Sequence, residues 1–421
     1  MILFFKKPLH YHMKYGIIVP GRRGFPQISP RAVKKHQIAG DTVLDRTKAV
    51  YCGIDNIASV AARISGASVG LVTGPTGVTR DMKRSIDVAA GLCRLTALFS
   101  PEHGIRGELQ AGLGDDASRD RATGAEIIPL YGRSRVPSME ILSRLDFLLF
   151  DMQDAGARYY TYLSTLTDCM KAAAAAKTPV IVFDRPNPIS LSRVEGSLLD
   201  ERFSSFVGRY GVPTRYGLTI GEYAHYINGS RGLGCDLTVV PCEGLTRDMY
   251  YDDTGLCFVN PSPNINSTDC AVNYIATCLF EQTNVSEGRG TTTPFSVIGA
   301  PWIDSEALVA AMDGYGFEGA VLRPAFFTPV YGKYVGESCE GVQIHITDRN
   351  RYQPFELGLR LFDEIRSLFP QIKVNQGVDL LFGSDRLRLE YIGRRRIDSF
   401  LAGNAETLEK WSEEARPYRI Y

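Results

Sequence analysis

The feature that most constrains this chain is an alternation of short apolar runs with helical segments along residues 68–188. Four apolar runs of strand length each end in a polar, turn-forming sequence. Because most successive positions in these runs are apolar, both faces of each strand would be buried, which is typical of parallel sheets covered by helices. The four predicted strands lie in SVGLVTG (68–74), LTALFSPEHG (95–104), DFLLFDMQD (146–154) and TPVIVFDRPNP (178–188).

Segments with helical spacing separate the predicted strands, and the third of them is rich in alanine, the strongest helix former. Strands that alternate with helices predict the α/β class, with a Rossmann-like, doubly wound parallel sheet. A long insertion rich in glycine and charge, residues 104–137, interrupts the pattern, and such loops are often functional. The helical segments are DMKRSIDVAAGLCRL (81–95), SMEILSRL (138–145) and YLSTLTDCMKAAAAAK (162–177).

The second half of the chain begins near CDLTVVPCEG (235–244) and predicts a smaller C-terminal α/β domain with a mixed sheet. EGVQIHITD (340–348) reads as a strand because its apolar side chains alternate with polar ones. Helical spacing is present in TDCAVNYIATCLFEQ (268–282) and in PFELGLRLFDEIRSLFP (354–370).

The length of 421 residues favours two domains over one simple core. Residues 1–48 lack clear periodicity and are interpreted as an N-terminal extension. The expected division then places the Rossmann-like domain at 49–235 and the smaller domain at 236–421, with a polar cleft between them.

Composition narrows the possible function classes. Basic and acidic residues both number 47, and this zero net charge disfavours an electrostatic nucleic-acid binder. No apolar run approaches the roughly 20 residues that span a bilayer, so no membrane partner is expected. The nine cysteines form no C-x-x-C pair, which favours reduced thiols in the cytoplasm, with Cys93 and Cys278 in the core. The N-terminus lacks a secretory signal pattern, and export stays open only if the true start differs.

The residues that follow the four predicted strands are candidates for a site, because ligands of open parallel sheets bind at the carboxyl ends of the strands. These ends carry residues 73–77, 101–104, 151–154 and 184–188, and all are polar and rich in turn formers. Asp and Asn after a strand also serve as caps and turn residues, so each acid alone has a structural alternative. Four polar ends on one edge of a sheet together favour a site.

Three further stretches concentrate polar side chains. In DMQDAGARYYTYLSTL (151–166), Arg158 suits bidentate binding of a carboxylate, while Tyr160 suits either a sugar contact or core packing. NVSEGRGTTTPF (284–295) and NPSPNINSTD (260–269) are loops in which glycine or proline sets the backbone. Their candidate residues are Glu287, Arg289 and Asn264.

Several chemistries lack their sequence signals. No H-x-x-x-H is present, and His103 beside Glu102 has no second ligand at metal spacing, so no metal is expected. No G-x-S-x-G stands at the end of a predicted strand, no G-x-G-x-x-G follows the first strand, and the chain has no P-loop, which disfavours a serine hydrolase and a nucleotide cofactor. Acid/base chemistry by carboxylates in a polar cleft remains.

Seven of these stretches occur in an order that resembles the exo-β-N-acetylmuramidases of the NamZ type, a family long catalogued as a bacterial domain of unknown function. The resemblance extends from about residue 52 to the C-terminal RPYRIY. It is carried by LVTGPTGV, LFSPEHGIRG, DMQDAGARYYTY, FDRPNP, PSPNI, SEGRGTTTPF and CEGVQIHITD.

The resemblance implies a glycoside hydrolase that needs no cofactor. Such an enzyme removes terminal N-acetylmuramic acid (MurNAc) from the non-reducing end of peptidoglycan fragments during cell-wall turnover or recycling. It also implies a Rossmann-like domain joined to a smaller C-terminal domain, with the site in the cleft between them. This agrees with the fold predicted from the strand and helix pattern.

Matched by motif, the resemblance implies that Glu102 is the catalytic acid. The second carboxylate stays open among Glu287, Asp151 and Asp154, and the substrate's own 2-acetamido group is an alternative nucleophile. The lactyl carboxylate of MurNAc requires a cation, and its acetamido group requires amide or hydroxyl partners. The residues expected to contact substrate are His103, Gln153, Arg158, Tyr160, Asp184, Arg185, Asn187, Asn264 and Arg289.

The chain departs from the family pattern at two places. The family's TNHTG has Asn and His where this chain has Gly74 and Pro75, and its RHGMT has His where this chain has Tyr216. These changes predict a shifted substrate preference without loss of hydrolysis. The competing interpretations are a muropeptide-binding protein without catalysis and, with less support, a Rossmann-type oxidoreductase.

Overall fold

The structure is a computed structural model that describes residues 49–107, 118–132 and 134–421. The N-terminal extension proposed for residues 1–48 lies outside the described residues. The strands are β1 (Ser68–Thr73), β2 (Arg94–Ser100), β3 (Ser118–Arg119), β4 (Glu126–Pro129), β5 (Phe147–Asp151), β6 (Val180–Phe183), β7 (Glu195–Leu198), β8 (Pro213–Arg215), β9 (Leu237–Val240), β10 (Val297–Ala300), β11 (Ala320–Phe327) and β12 (Cys339–Ile346).

The α-helices range from single turns to a helix of 19 residues. In the described residues they are α1 (Ala61–Ile64), α2 (Ser85–Ala90), α3 (Met139–Leu142), α4 (Tyr162–Ala176), α5 (Ile220–Ser230), α6 (Thr268–Thr277), α7 (Ser305–Asp313), α8 (Pro354–Leu368), α9 (Val378–Phe382) and α10 (Ile397–Ala415). Shorter 3₁₀-helices include Gly53–Val60, Tyr251–Thr254 and Cys278–Gln282, and Leu387–Tyr391 is a π-helix. None of the helices in the described part of the chain has the length and apolar character needed to cross a bilayer.

The main sheet has seven strands in the order β3-β4-β2-β1-β5-β6-β9. Six of them are parallel, and β3 alone pairs antiparallel with its neighbour β4. From β1 the chain builds outward through β2 and β4 on one side, and then through β5, β6 and β9 on the other. This reversal beside β1 confirms the predicted doubly wound α/β fold.

Helices and 3₁₀-helices cover both faces of the main sheet, which explains why its strands are apolar at successive positions. In β5, Leu148 and Phe150 pack into one core cluster, while Leu149 packs into a second cluster on the opposite face. All three side chains are fully buried. The first cluster continues into the C-terminal half of the chain, so it joins the sheet to the layer that follows.

The sheet of the C-terminal half is antiparallel, which corrects the prediction of a mixed sheet. Its order is β10-β12-β11, and both pairs run antiparallel. β11 and β12 are consecutive strands joined by a loop without a crossover helix, so they pair antiparallel. Only the β12 region has a clear strand pattern in the sequence; Pro324 in β11 obscures the pattern there.

The proposed division at residue 235 stays a prediction. β9 follows that position, yet it is the edge strand of the main sheet, where it pairs with β6. The described residues belong to one compact unit that spans 47–421. The helix predicted at 81–95 is restricted to α2, because the chain turns at Gly91 and Arg94 already pairs with Ser68 in the sheet.

Candidate functional site

A polar cavity of 380 Å³ lies where the carboxyl end of β2 faces the C-terminal half of the chain. Five of the residues predicted for the site line it. The described residues that line it are Glu102, His103, Tyr131, Arg135, Tyr159, Tyr160, Thr161, Phe206, Val207, Ser262, Asn264, Ile265, Tyr274, Glu281, Arg289, Phe295 and Leu381.

The turn after β2 places Glu102 and His103 in the cavity wall. His103 and Gly104 have φ values of 78° and 80°, in the left-handed region, and the N–H of Gly104 donates to the carbonyl of Pro101 at 3.1 Å. Glycine adopts this conformation readily, whereas histidine does so at an energetic cost. The strained turn therefore reverses the chain where the strand ends and leaves the Glu102 side chain facing the cavity.

Hydroxyl groups surround the Glu102 carboxylate, which is 7% exposed. The hydroxyl of Thr161 donates to Glu102 Oε2 at 2.9 Å. Burial raises the pKa of the neighbouring Tyr131 hydroxyl, and the charge of Glu102 raises it further, so Tyr131 stays a protonated donor at neutral pH. Thr161 is also the N-cap residue of α4, and the start of that helix thus fixes one partner of the carboxylate.

Two further glutamates share one arginine, Glu281 in the cavity wall and Glu287 behind it. Arg289 donates to Glu281 Oε1 at 2.6 Å and to Glu287 Oε1 at 2.7 Å. Lys333 donates to the other oxygen of Glu287 at 2.8 Å. Burial alone raises the pKa of the Glu287 carboxyl, but Lys333 and Arg289 together hold it below its ordinary value. Glu287 is thus an ionised anchor behind the wall, and Glu281 is the glutamate that lines the cavity.

Asn264 lines the same cavity from the loop that precedes α6. The hydroxyl of Tyr331 donates to its Oδ1, and Cys270 contacts its carbonyl at 3.2 Å. Tyr160 contributes an aromatic wall, with its ring 4.7 Å from that of Tyr162 in an edge-on arrangement. These contacts hold Asn264 and Tyr160 in fixed positions beside the carboxylates.

The carboxyl ends of β1, β5 and β6 meet as predicted, but they bond to one another. Asp151 is fully buried and accepts from Arg185 at 2.6 and 2.8 Å and from Ser85. Burial lowers the pKa of the Arg185 guanidinium, and Asp151 raises it by more, so the guanidinium stays charged. Neither Asp151 nor Arg185 lines the cavity.

Asp154 and Gln153 are likewise engaged inside the protein. Asp154 accepts from Tyr216 and, at 2.7 Å, from the N–H of Gly156, while its Oδ1 has no hydrogen-bond partner among the described residues. Burial raises the Asp154 pKa to about 7 despite those two hydrogen bonds. The side-chain amide of Gln153 donates to the carbonyl of Pro186 at 2.7 Å, which ties the end of β5 to the end of β6.

Asp184 and Asn187 support the backbone near α5. Asp184 accepts from Thr219 at 2.7 Å, from the N–H of Gly221 at 2.7 Å and from the Tyr421 hydroxyl at 2.8 Å. Burial raises the Asp184 pKa to about 6. Asn187 donates to the carbonyl of Leu218 at 2.9 Å. These are the capping and turn contacts that the sequence left as an alternative.

Arg158 is enclosed by backbone carbonyls and does not face the cavity. It donates to the carbonyls of Ser197, Val212, Leu381 and Phe382 at 2.6, 2.8, 2.7 and 2.9 Å. Burial lowers its pKa to about 10, which still leaves the guanidinium charged at neutral pH. Leu381 lines the cavity, so Arg158 holds this part of the cavity wall through the Leu381 carbonyl.

Sequence reasoning missed four residues that now define the cavity: Tyr131, Arg135, Thr161 and Glu281. The first two lie in the 104–137 insertion. The length of that insertion indicated a functional loop, but it did not indicate which residues take part. Glu281 sits in a stretch with helical spacing, where an acidic residue looks like solvent-exposed surface. The position of Glu281 in the cavity wall becomes apparent only from its hydrogen bond with Arg289 in the folded protein.

The departures from the family motifs lie outside the cavity. Gly74 and Pro75 line a separate hollow of 230 Å³ that also contains Arg106 and Asp120. Tyr216 is buried against Asp154. In residues 49–107, 118–132 and 134–421, no group of three or more His, Cys, Asp or Glu residues is placed to hold a metal ion.

The fold and the site together define an α/β protein with a polar, carboxylate-bearing cavity of small-molecule size at the end of a doubly wound sheet. The chain belongs to the NamZ family of exo-beta-N-acetylmuramidases. The family's N-terminal sequence model matches residues 69–269, and its C-terminal model matches residues 272–421.

Relatives cover nearly the whole described chain. It is 38% identical over 378 residues to the peptidoglycan beta-N-acetylmuramidase NamZ of Bacillus subtilis (strain 168), across 88% of this chain and 91% of that protein. Two crystal structures of DUF1343 family proteins from Bacteroides fragilis NCTC 9343 have the same fold. One has a TM-score of 0.81 and 31% identity, over 89% of this chain and 99% of the other. The second has a TM-score of 0.73 and 27% identity, over 88% and 99%.

Proposed function

We propose that this protein is an exo-acting glycoside hydrolase that releases terminal MurNAc from the non-reducing end of peptidoglycan fragments. The observation that carries the proposal is the position of Glu102 in the wall of a 380 Å³ polar cavity, in a chain that matches the muramidase family along both halves. The curated relative is named for action on peptidoglycan. The proposal specifies MurNAc-terminated saccharides as the substrate of this protein.

Glu102 is the proposed general acid. In its protonated form it gives its proton to the glycosidic oxygen as the bond to the anomeric carbon breaks, and the leaving sugar departs as an alcohol. Thr161 and Tyr131 orient the carboxyl through their hydroxyls. His103, the next residue in the same turn, also lines the cavity, which supports a contact with the sugar as part of this proposal.

Glu281 is the proposed second carboxylate. Glycosidases of this kind use a second carboxyl group to stabilise the positive charge that develops at the anomeric centre or to activate the attacking group. Glu281 lines the cavity, and its Oε1 accepts a hydrogen bond from Arg289 at 2.6 Å. Glu287, Asp151 and Asp154 do not line the cavity, so this proposal assigns them supporting roles.

The proposed function is tested by comparing the loss of activity in Glu102→Gln on two substrates with different leaving groups. The wild-type protein is expected to release p-nitrophenol from p-nitrophenyl-MurNAc and MurNAc from MurNAc–GlcNAc. Glu102→Gln is expected to lose about 10²- to 10⁴-fold in kcat/KM on the disaccharide. The loss on the p-nitrophenyl substrate is expected to be smaller, because p-nitrophenolate leaves without a proton.

The matched control is Glu364→Gln, a buried glutamate of α8 that bonds Tyr315 and lies outside the cavity. It is expected to keep wild-type kinetics. Binding of MurNAc by the wild-type protein without turnover would replace the hydrolase with the muropeptide-binding alternative, and full activity of Glu102→Gln would remove Glu102 from the reaction.

We also propose that the enzyme acts in the cytoplasm, on imported wall fragments. All nine cysteines are unpaired, and eight of them are buried, as expected for thiols in a reducing compartment. Fractionation of cells that express the full-length protein tests this, since recovery of the activity outside the cytoplasm would contradict it.

A further inference from the structure

MurNAc differs from N-acetylglucosamine by a lactyl ether that ends in a carboxylate. If the proposed function holds, the cavity must supply a cation to that group or leave its charge uncompensated. Arg158 and Arg185, two of the cations expected from sequence, are buried and bonded elsewhere. Among the described residues, two arginines line the cavity, Arg135 and Arg289.

The charge of Arg289 is already compensated. Its two terminal nitrogens donate to Glu281 and Glu287, so one guanidinium faces two carboxylates. A third carboxylate brought to this arginine would add negative charge beside Glu281. Arg289 is therefore suited to holding the catalytic wall and poorly suited to binding the lactyl group.

Arg135 has the opposite surroundings. It makes no ion pair with any residue that the structure describes, and its guanidinium lies over the Phe206 ring, 4.3 Å from the ring centroid. The Tyr131 ring is 5.9 Å away. The carboxylate of Asp168, which feels the charge of Arg135, is bonded to Arg209 at 2.9 Å. Stacking on Phe206 positions the guanidinium while leaving the N–H groups at its edge available.

We infer that Arg135 binds the lactyl carboxylate of the substrate and thereby sets the preference for MurNAc over N-acetylglucosamine. A guanidinium can form two parallel hydrogen bonds with a carboxylate. Phe206 and Val207 provide apolar surface beside it for the lactyl methyl group. Arg135 thus supplies the selectivity of a reaction whose carboxylates come from other segments.

The test compares two inhibitors, MurNAc and its lactyl amide, in which a neutral amide of nearly the same size replaces the carboxylate. For the wild-type protein, the inhibition constant of MurNAc is expected to be lower by about 10- to 100-fold, the range of a charge-assisted pair at a partly exposed site. In Arg135→Gln the two constants are expected to converge. In Arg135→Lys, which keeps the charge without the bidentate geometry, part of the difference is expected to remain.

The matched control is Arg121→Gln, an exposed arginine of the same insertion that does not line the cavity. It is expected to keep both the wild-type rate and the wild-type difference between the inhibitors. The inference is overturned if the wild-type protein does not distinguish acid from amide, or if Arg135→Gln still does. Absence of MurNAc release by the wild-type protein would instead contradict the proposed function, so the two failures are distinguishable.

Discussion

The cavity wall and the adjoining ends of β5 and β6 both carry acids at the edge of one sheet, yet they differ in what those acids contact. At the cavity, Glu102 and Glu281 face open space as well as their protein partners. The ends of β5 and β6 carry Asp151, Asp154, Asp184 and Arg185, which we call the buried edge. There each carboxylate is buried and accepts hydrogen bonds from protein groups. An acid that follows a parallel strand therefore lies at the edge of the sheet. Its neighbouring groups determine whether its role is catalytic or structural.

The largest expected effect comes from the second carboxylate of the cavity. Glu281→Gln is expected to lower kcat by about 10²- to 10⁴-fold on both p-nitrophenyl-MurNAc and the disaccharide, because charge stabilisation is needed whatever the leaving group. Addition of azide to Glu281→Ala is expected to restore part of the rate by supplying an anionic nucleophile. Steady-state kinetics with both substrates provide the measurement.

Glu287→Gln is the companion variant, because it removes a carboxylate that lies behind the same wall. It is expected to affect stability more than kcat, since it leaves Lys333 and Arg289 short of a partner. An equal loss of kcat in both variants would mean that the two glutamates act as one unit and that the contrast between them is wrong.

Substitutions at the buried edge are expected to have a smaller effect on the rate but a large effect on stability. Asp151→Asn leaves the buried Arg185 without its charge partner and is expected to lower the free energy of unfolding by about 3–5 kcal/mol. Urea denaturation measures this loss. The activity of the folded fraction is expected to stay close to wild type, and a stable Asp151→Asn protein with a much lower kcat would return Asp151 to the reaction.

The pH dependence of stability is expected to carry the signature of Asp154 and Asp184. Their pKa values rise from 3.8 to about 7 and about 6 on folding. Between the unfolded and folded pKa values the native state binds more protons, so stability falls as pH rises from about 4 to about 7. Asp154→Asn mimics the protonated form and is expected to flatten this slope in unfolding experiments across that range. An unchanged slope would show that Asp154 is ionised in the folded protein throughout.

The smallest effect is expected at an exposed ion pair. Arg144 and Glu140 bond at 2.6 Å, with 71% and 73% of their side chains exposed. Arg144→Ala is expected to change the free energy of unfolding by less than about 0.5 kcal/mol, because solvent already screens this pair. This variant calibrates the loss in Asp151→Asn, and a comparable loss in both would mean that burial is not what distinguishes the two pairs.

The sheet was predictable because burial on both faces leaves a direct mark on its strands. The periodicity of α4 and α8 likewise located these helices to within two residues at each end. α10 left no comparable signal: few of its residues are buried, so polar side chains dominate its sequence. The antiparallel order of β10, β11 and β12 depends on contacts between segments that are distant in sequence.

The site was predictable only in part, for a related reason. A motif locates a carboxylate in the sequence. The role of that carboxylate depends on which groups bond to it in the folded protein. Nothing local in the sequence distinguishes the role of Glu102 from that of Asp151, since Glu102 comes two residues after β2 and Asp151 is the last residue of β5. Glu281 and Arg135 become candidates only through Arg289 and Phe206, their neighbours in the folded protein.

The four carbonyl contacts of Arg158 have a consequence for how ligands enter. One of these carbonyls belongs to Leu381, a residue of the cavity wall. Two others belong to Ser197 in β7 and to Val212, the residue before β8. This part of the wall cannot swing outward unless a buried cation loses its hydrogen-bond partners, so we expect Leu381 to stay in place when a ligand binds. Association is then expected to be a single kinetic phase limited by diffusion and fit, and changes in the size of accepted sugars would come from trimming the Leu381 side chain rather than from loosening a hinge.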